Sequence, residues 1–319
     1  MVTGARPRPT IVSAKRRGIS DSTISFWILV GPMVLGLFVF VVVPIAWGFL
    51  ISFFNARNTI ALTSFAGLSN YAAVLGDSTF IASLRTIIVF AIFIVPLTFA
   101  VSLTLALLVH RSRWGKGFFQ TTLFLPTACS YVIAALIWRM SIFNSLPYGL
   151  ANLLLNLVAA GPITWIGTAD PPWYWLVLVT VRLWLQVGFY MILFIAGLQD
   201  IPSHIYDAAR VDGTNGGWAM FRHITFPLLR NTSIFVLFVN IIAAFQAFDE
   251  FYNVLSGGGT SAAGGNLALA RTPLIYLYQI AFSDQNFGRG AAGAFVLTAI
   301  VVFVTLLQGK VLGFGGSSE

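Results

Sequence analysis

The sequence predicts an all-α, polytopic membrane protein with six transmembrane helices and both termini cytoplasmic. Three observations carry this. Of its 319 residues, 58% are hydrophobic and 9% charged, where a soluble domain is about 25% charged. Six apolar runs are each long enough to cross a hydrocarbon core of about 30 Å, which takes roughly 20 helical residues. The lysines and arginines gather in alternate connections between those runs, as membrane insertion requires. The formal net charge of +8 therefore reads as topology, with no nucleic-acid partner implied.

In chain order, residues 1–25 hold Arg6, Arg8, Lys15, Arg16 and Arg17 among Pro, Ser and Thr. They are expected to form a disordered basic arm in the cytoplasm, and residues 26–319 the transmembrane domain. The first span, about 26–54, is too long for a signal-peptide core and has no small-residue cleavage site, so it stays in the membrane, bent at Pro44. The others run about 84–109, 118–143, 173–198, 231–255 and 290–312. In this arrangement the arm, Arg111, Arg113, Lys116, Arg210, Arg222, Arg230 and Lys310 lie inside, 12 of the 18 basic residues. Arg57, Arg85, Arg271 and Arg289 lie outside. Arg182 falls within a span, and Arg139 sits close enough to an outer end to snorkel to the interface.

Several chemistries are excluded. The single cysteine, Cys129, rules out an internal disulfide, and His110, His204 and His223 have no metal-ligand spacing. A phosphate-cradling loop needs G-x-x-x-x-G-K-[ST]. Gly115-Lys116 has His110 at the first glycine position and Gly117 after the lysine, while Gly309-Lys310 has Val304 and Val311. Asp249 and Glu250 are adjacent, about 100° apart on a helix, so they do not form an acid–base pair.

Between the fourth and fifth spans, residues 200–227 are polar and punctuated by glycine. Asp200 or Ser203 can cap a first short helix, with Pro202 in its opening turn. Asp212-Gly213 stops that helix, because glycine accepts the left-handed conformation of a C-terminal stop. Thr214-Asn215 can start a second, and Pro227 marks the turn into the next span. The product is a compact two-helix knuckle. Asp207-Ala208-Ala209, Asp212-Gly213, Phe221, Ile224 and Pro227 within it resemble the EAA loop of binding-protein-dependent ABC importer permeases, E-A-A-x-x-x-G with a downstream hydrophobic residue, I and P. Asp207 stands where Glu is usual, keeping the charge on a shorter stem, and Thr214 where Ala is usual.

The resemblance extends beyond the knuckle. Gly67-Leu68-Ser69-Asn70-Tyr71, Tyr148 to Asn152 and Trp165-Ile166-Gly167 are similar to external segments of the carbohydrate-uptake branch of that family. Phe245-Gln246-Ala247-Phe248-Asp249, Val254 to Gly259, Tyr276 to Phe282 and Phe287-Gly288 follow its pattern too, with Thr260 where a proline is usual. The resemblance implies a type I ABC importer permease fold in the bacterial plasma membrane. It also implies a second homologous permease, two cytoplasmic ATPase subunits that bind ATP and Mg, and an extracytoplasmic substrate-binding lipoprotein. No cofactor is expected on this chain. The knuckle would dock on the ATPase through Asp207, Ala208, Ala209, Asp212, Gly213, Phe221 and Pro227.

Polar groups inside a bilayer must line water or meet partners. Arg182, Gln186 and Tyr190 recur every four residues, and Gln246, Asp249 and Asn253 follow i, i+3, i+7 spacing. Both sets read as helix stripes facing a pathway, with Phe189, Phe245, Phe248 and Tyr252 offering flat faces to sugar rings. The alternative is that these residues glue neighbouring helices together. The function expected is half of the translocation pathway for an oligosaccharide or disaccharide. A glycerol-3-phosphate or glycerophosphodiester importer is the alternative that Arg182 suggests, opposed by the acidic Asp249-Glu250 side. An ion-coupled secondary transporter would need inverted repeats, and a membrane-embedded enzyme a reactive constellation; neither is evident.

Overall fold

A computed structural model describes residues 19–112, 114–214, 217–256 and 266–312. Most of the basic arm, Arg113, Asn215 and the loop with Gly257–Gly259 and Thr260 lie outside the described residues. Among those described, five long apolar helices and one sharply bent pair account for the spans. The β-pairing among the described residues is two isolated bridges.

Helix α1, Ile24–Ile51, is the first span. Proline brings no N–H, and just before Pro44 the helix widens into a π-turn at Phe38–Val42, with the Val43 N–H reaching back to the Phe38 carbonyl. The helix changes pitch there without breaking. None of its most apolar 18-residue window is buried against the rest of the chain. Its last turn is tied down. Phe49 meets Phe295 edge-on at 5.2 Å, and the Ser52 hydroxyl lies 2.7 Å from that of Tyr71. The short α2, Ser69–Leu75, then packs against α1 through Asn70, whose side-chain amide donates to the carbonyls of Ser52 and Phe54 at 2.9 and 3.0 Å.

Helix α3, Ser78–Arg111, is capped by Asp77, which accepts the Thr79 N–H. The third span is two helices, α4 (Lys116–Ala128) and α5 (Tyr131–Ile142), set 94° apart. The span expected over 118–143 is thus built from two helices with a sharp bend between them. Pro126 tightens the end of α4 into a 3₁₀ turn, and Cys129 and Ser130 are extended. The connection that follows contains α6, Leu150–Leu157, and is held by Asn152. That fully buried amide donates to the carbonyls of Asn144, Leu146 and Ile163 and accepts from the Ile163 N–H and the Trp165 indole.

Helix α7, Tyr174–Gln199, is the axis of the bundle. It packs along α3, where the Ser102 hydroxyl donates to the Val187 carbonyl at 3.1 Å, and against α5, where the Trp138 indole donates to the Thr180 hydroxyl. Gly188 makes the packing on α4 possible: a Cβ there would overlap the Leu123 carbonyl, which is backbone and cannot swing away. Helices α8 (Ser203–Val211) and α9 (Gly217–Met220) form the knuckle.

The fifth span is also broken. Helix α10, Arg230–Phe245, ends at Gln246, and α11, Asp249–Leu255, restarts three residues later, with Phe248 at φ −134°, ψ −59°. A buried cluster of Ile87, Phe90, Val177, Leu178, Ala247 and Phe251 surrounds this break. A second, nearer the knuckle, holds Leu103, Met191, Phe194, Leu198 and Leu229. Helices α12 (Pro273–Tyr278) and α13 (Phe287–Leu312) complete the chain.

At the end of the bundle far from the knuckle, one carboxylate joins three elements. Asp77 receives Arg289 at 2.5 Å and the Tyr276 hydroxyl at 2.8 Å. Partial burial raises its pKa, but the bonds from Tyr276 and Thr79 and the charge of Arg289 outweigh that and leave it below the ordinary 3.8. A lowered carboxylate stabilises the fold at any pH above its unfolded value and loses that contribution as the pH falls through the folded one. The purified protein is therefore expected to hold its melting temperature down to pH 4 and lose it below. Asp77→Asn should be less stable at neutral pH and show a shallower acid limb. An unchanged acid limb in that variant would remove Asp77 from the explanation.

Candidate functional site

The two broken spans meet. Helix breaks inside a membrane leave backbone groups that only protein or a water-lined cavity can satisfy, and here a cleft of about 190 Å³ lies between them. Its walls are Tyr131, just past the bend of the third span, Arg182 and Gln186 of α7, and Ala243, Gln246, Phe248, Asp249 and Glu250 around the break of the fifth.

Arg182 fixes the geometry. It is 4% exposed and Glu250 1%. Its Nη1 donates to Glu250 Oε1 at 2.5 Å, its Nη2 to the Ala243 carbonyl at 2.5 Å and its Nε to Gln186 Oε1 at 2.9 Å. The Tyr131 ring lies 5.6 Å from the guanidinium carbon. The carbonyl of Ala243 precedes the helix break, so the arginine stitches the broken end of α10 to α7. It also holds a buried ion pair in which each charge is the other's compensation.

The structure brings together Arg182, Gln186, Gln246, Phe248 and Asp249 and sets Phe189, Tyr190, Phe245 and Asn253 elsewhere. Tyr190 is 1% exposed within the cluster nearer the knuckle. A four-residue spacing gains on the 3.6-residue turn, and eight residues from Arg182 the face has rotated by about 80°. Phe189 is half-exposed on another side of α7. Phe245 is buried in the main core, so its ring is not offered to the cleft. The expected Gln246–Asp249–Asn253 stripe assumes one continuous helix. With the break in place Gln246 precedes α11, and the Asn253 amide instead donates to the Asp249 carbonyl at 2.7 Å.

Two features of the site go beyond the sequence reading. Glu250 separates from its neighbour: Asp249 is exposed at the cleft, while Glu250 turns inward to Arg182. Beside the cleft, Phe248 stacks on Tyr252 at 5.3 Å and 13°, and Tyr278 and Phe282 continue the row at 5.6 and 5.1 Å. Arg139 is half-buried on the wall of another cleft of about 300 Å³ with Asn144, Ser145 and Asn266, a more enclosed place than the snorkelling position expected of it.

In the knuckle, Pro202 occupies the cap position of α8 and Ser203 is its first residue, with no side-chain cap, while Asp200 ends α7. Gly213 stops α8 with φ +88°, and the Thr214 N–H returns to the Ala209 carbonyl at 2.9 Å. Ala209 is buried; Asp207, Ala208, Asp212 and Gly213 are exposed. Asp207 pairs with Arg210 of its own helix at 2.8 Å. Phe221 is half-buried against the cluster nearer the knuckle and contacts Trp218 and Phe226. Pro227 lies within a helical stretch, preceded by a π-turn at Phe221–Thr225, and the turn into α10 falls at Leu229. Val211 and Trp218 project from the knuckle, 88% and 71% exposed.

A multi-pass helical bundle with a polar cleft at two broken spans is the build of a membrane transport subunit. The family model for the binding-protein-dependent transport system inner membrane component matches residues 100–311, and the chain belongs to that family of inner-membrane permeases. It is 31% identical to the arabinooligosaccharides transport system permease protein AraP of Bacillus subtilis, covering 96% of this chain and 95% of AraP. It is 33% identical to the sn-glycerol-3-phosphate transport system permease protein UgpA of Agrobacterium fabrum, over 77% of this chain and 80% of UgpA. With the trehalose/maltose transport system permease protein MalF of Thermococcus litoralis it shares 30%, over 88% and 90%. In fold it is similar to a chain of a bacterial ABC transporter involved in import of the acidic polysaccharide alginate, with a TM-score of 0.79 at 17% identity, covering 94% of this chain and 98% of that one.

Proposed function

We propose that this chain forms half of the translocation pathway of an ATP-driven importer for a neutral oligosaccharide or disaccharide. The observation that carries this reading is the Arg182–Glu250 pair. A free buried guanidinium would favour a phosphate, but this one is neutralised at 2.5 Å. What remains at the cleft is amide, phenol and an exposed carboxylate, beside an aromatic row with the flat faces sugar rings stack on. Relatives that carry arabinooligosaccharides and trehalose/maltose support the carbohydrate class, and the glycerol-3-phosphate relative makes the charge of the cleft the deciding feature.

ATP and Mg belong on two partner ATPase subunits, and the knuckle, with Val211, Trp218, Ala208 and Asp207 outward, is the surface they would dock on. A second, homologous permease completes the pathway, and the uncovered length of α1 is available to it. A substrate-binding protein delivers the sugar from outside. The 12 basic residues counted inside and four outside support a cytoplasmic arm, knuckle and termini, with residues 26–319 as one permease domain.

Uptake by the reconstituted complex, across neutral sugars, polyols and glycerol phosphates, tests this reading. ATP-dependent entry of a neutral saccharide, without competition from glycerol phosphate, is expected. Entry confined to phosphorylated substrates, or driven by an ion gradient without the ATPase, would overturn it.

A further inference from the structure

We propose that Glu250 sets the charge selectivity of the pathway by cancelling Arg182, and that without it the cleft accepts anionic sugars. This rests on the transport reading above. An arginine side chain keeps its proton in any protein environment, whereas an unpaired buried carboxylate can neutralise itself by taking one up. The two halves of the pair are therefore not equivalent. Removing Glu250 must leave a positive charge in the cleft wall.

The geometry makes that charge usable. Nη1, Nη2 and Nε each have one protein partner, which takes three of the five N–H donors of a guanidinium. The bonds to Gln186 and to the Ala243 carbonyl come from α7 itself and from α10, so they survive changes at position 250 and keep the group aimed. The other charged residue at the cleft is Asp249, exposed and outside ion-pair distance of Arg182. The three charges sum to one negative in the native chain, which turns anions away. Glu250→Gln brings the sum to zero, its amide oxygen still able to accept from Nη1 while the two unused donors are no longer offset by a buried carboxylate, and adding Asp249→Asn makes it positive.

The test is the affinity of the complete complex in nanodiscs for glucuronate, with glucose as the uncharged control. Glucuronate binding should tighten by about tenfold in Glu250→Gln, as expected when a charged hydrogen bond becomes available. It should tighten further in Asp249→Asn/Glu250→Gln and return to the native level in Arg182→Gln/Glu250→Gln. Native-level affinity in both of the first two variants would overturn the proposal, as would a gain that persists without Arg182. If Glu250→Gln does not assemble, Glu250→Ala gives a second arm. Acetate, but not acetamide, should then restore its melting temperature by filling the vacated anion position, and failure of acetate to do so would also overturn the proposal. Absence of neutral-sugar uptake by the native complex is a separate result: it would sink the transport reading and leave the charge series interpretable.

Discussion

Arg182→Ala is expected to destabilise the protein by about 3–5 kcal/mol, the usual consequence of stranding one partner of a buried ion pair. The loss has three parts. Glu250, 1% exposed, is left without its counter-charge. The Ala243 carbonyl loses its donor at a helix break, where no backbone N–H replaces it. Gln186 loses the contact that orients it. Arg182→Lys should recover little, since a single ammonium cannot reach three acceptors as the planar fork does. Arg182→Ala/Glu250→Ala should be more stable than Arg182→Ala alone, because it removes the stranded charge. Denaturation midpoints of the four proteins in one membrane mimetic provide the measurement, and an Arg182→Ala midpoint equal to the native one would show that the pair contributes nothing.

Gly213→Val is expected to cut ATP-dependent uptake by about tenfold or more while the partner ATPase keeps turning over. At φ +88° the position suits glycine, and a β-branched residue there costs roughly 1–2 kcal/mol in backbone strain. Nothing lies within 4 Å of where the new Cβ would sit. The penalty is therefore conformational and is relieved by reshaping the end of α8, which re-aims Val211 and the Asp207–Ala208 face. Asn tolerates the left-handed region better, so Gly213→Asn should lie between the two. Uptake and hydrolysis are read together in proteoliposomes; full uptake by Gly213→Val would rule out a coupling role for this turn.

Length and hydropathy make the membrane spans legible because an apolar run of 20 or more residues has few other uses. The stop at Gly213 is legible as well, since Asp-Gly is a chemical instruction to the backbone. The break of the fifth span is not, whereas Pro126 stands at the bend of the third. Gln246-Ala247-Phe248 contains neither glycine nor proline, and the acidic Asp249-Glu250 that follows is compatible with an uninterrupted helix, so nothing local announces that α10 ends. What accompanies the break comes from distant parts of the chain, the Arg182 fork on the Ala243 carbonyl and the packing around Ala247 and Phe251. Without the break the Gln246–Asn253 stripe looks regular and Glu250 looks like a second pathway acid beside Asp249. Tyr190 misleads for a simpler reason, the slow rotation of a four-residue repeat. Asn70 and Asn152 stand in motifs visible in the sequence, but their work of holding carbonyls from neighbouring segments is visible only in three dimensions.

The uncovered first helix has a consequence for the birth of the protein. All its backbone bonds are internal, so it can leave the insertion machinery and rest in lipid before any other span has been made. Among the described residues, later segments leave its most apolar stretch uncovered and meet it at its final turn. Insertion and consolidation are thus separate events for this segment, and the maturing chain carries a long, greasy rod as a signature of solitude.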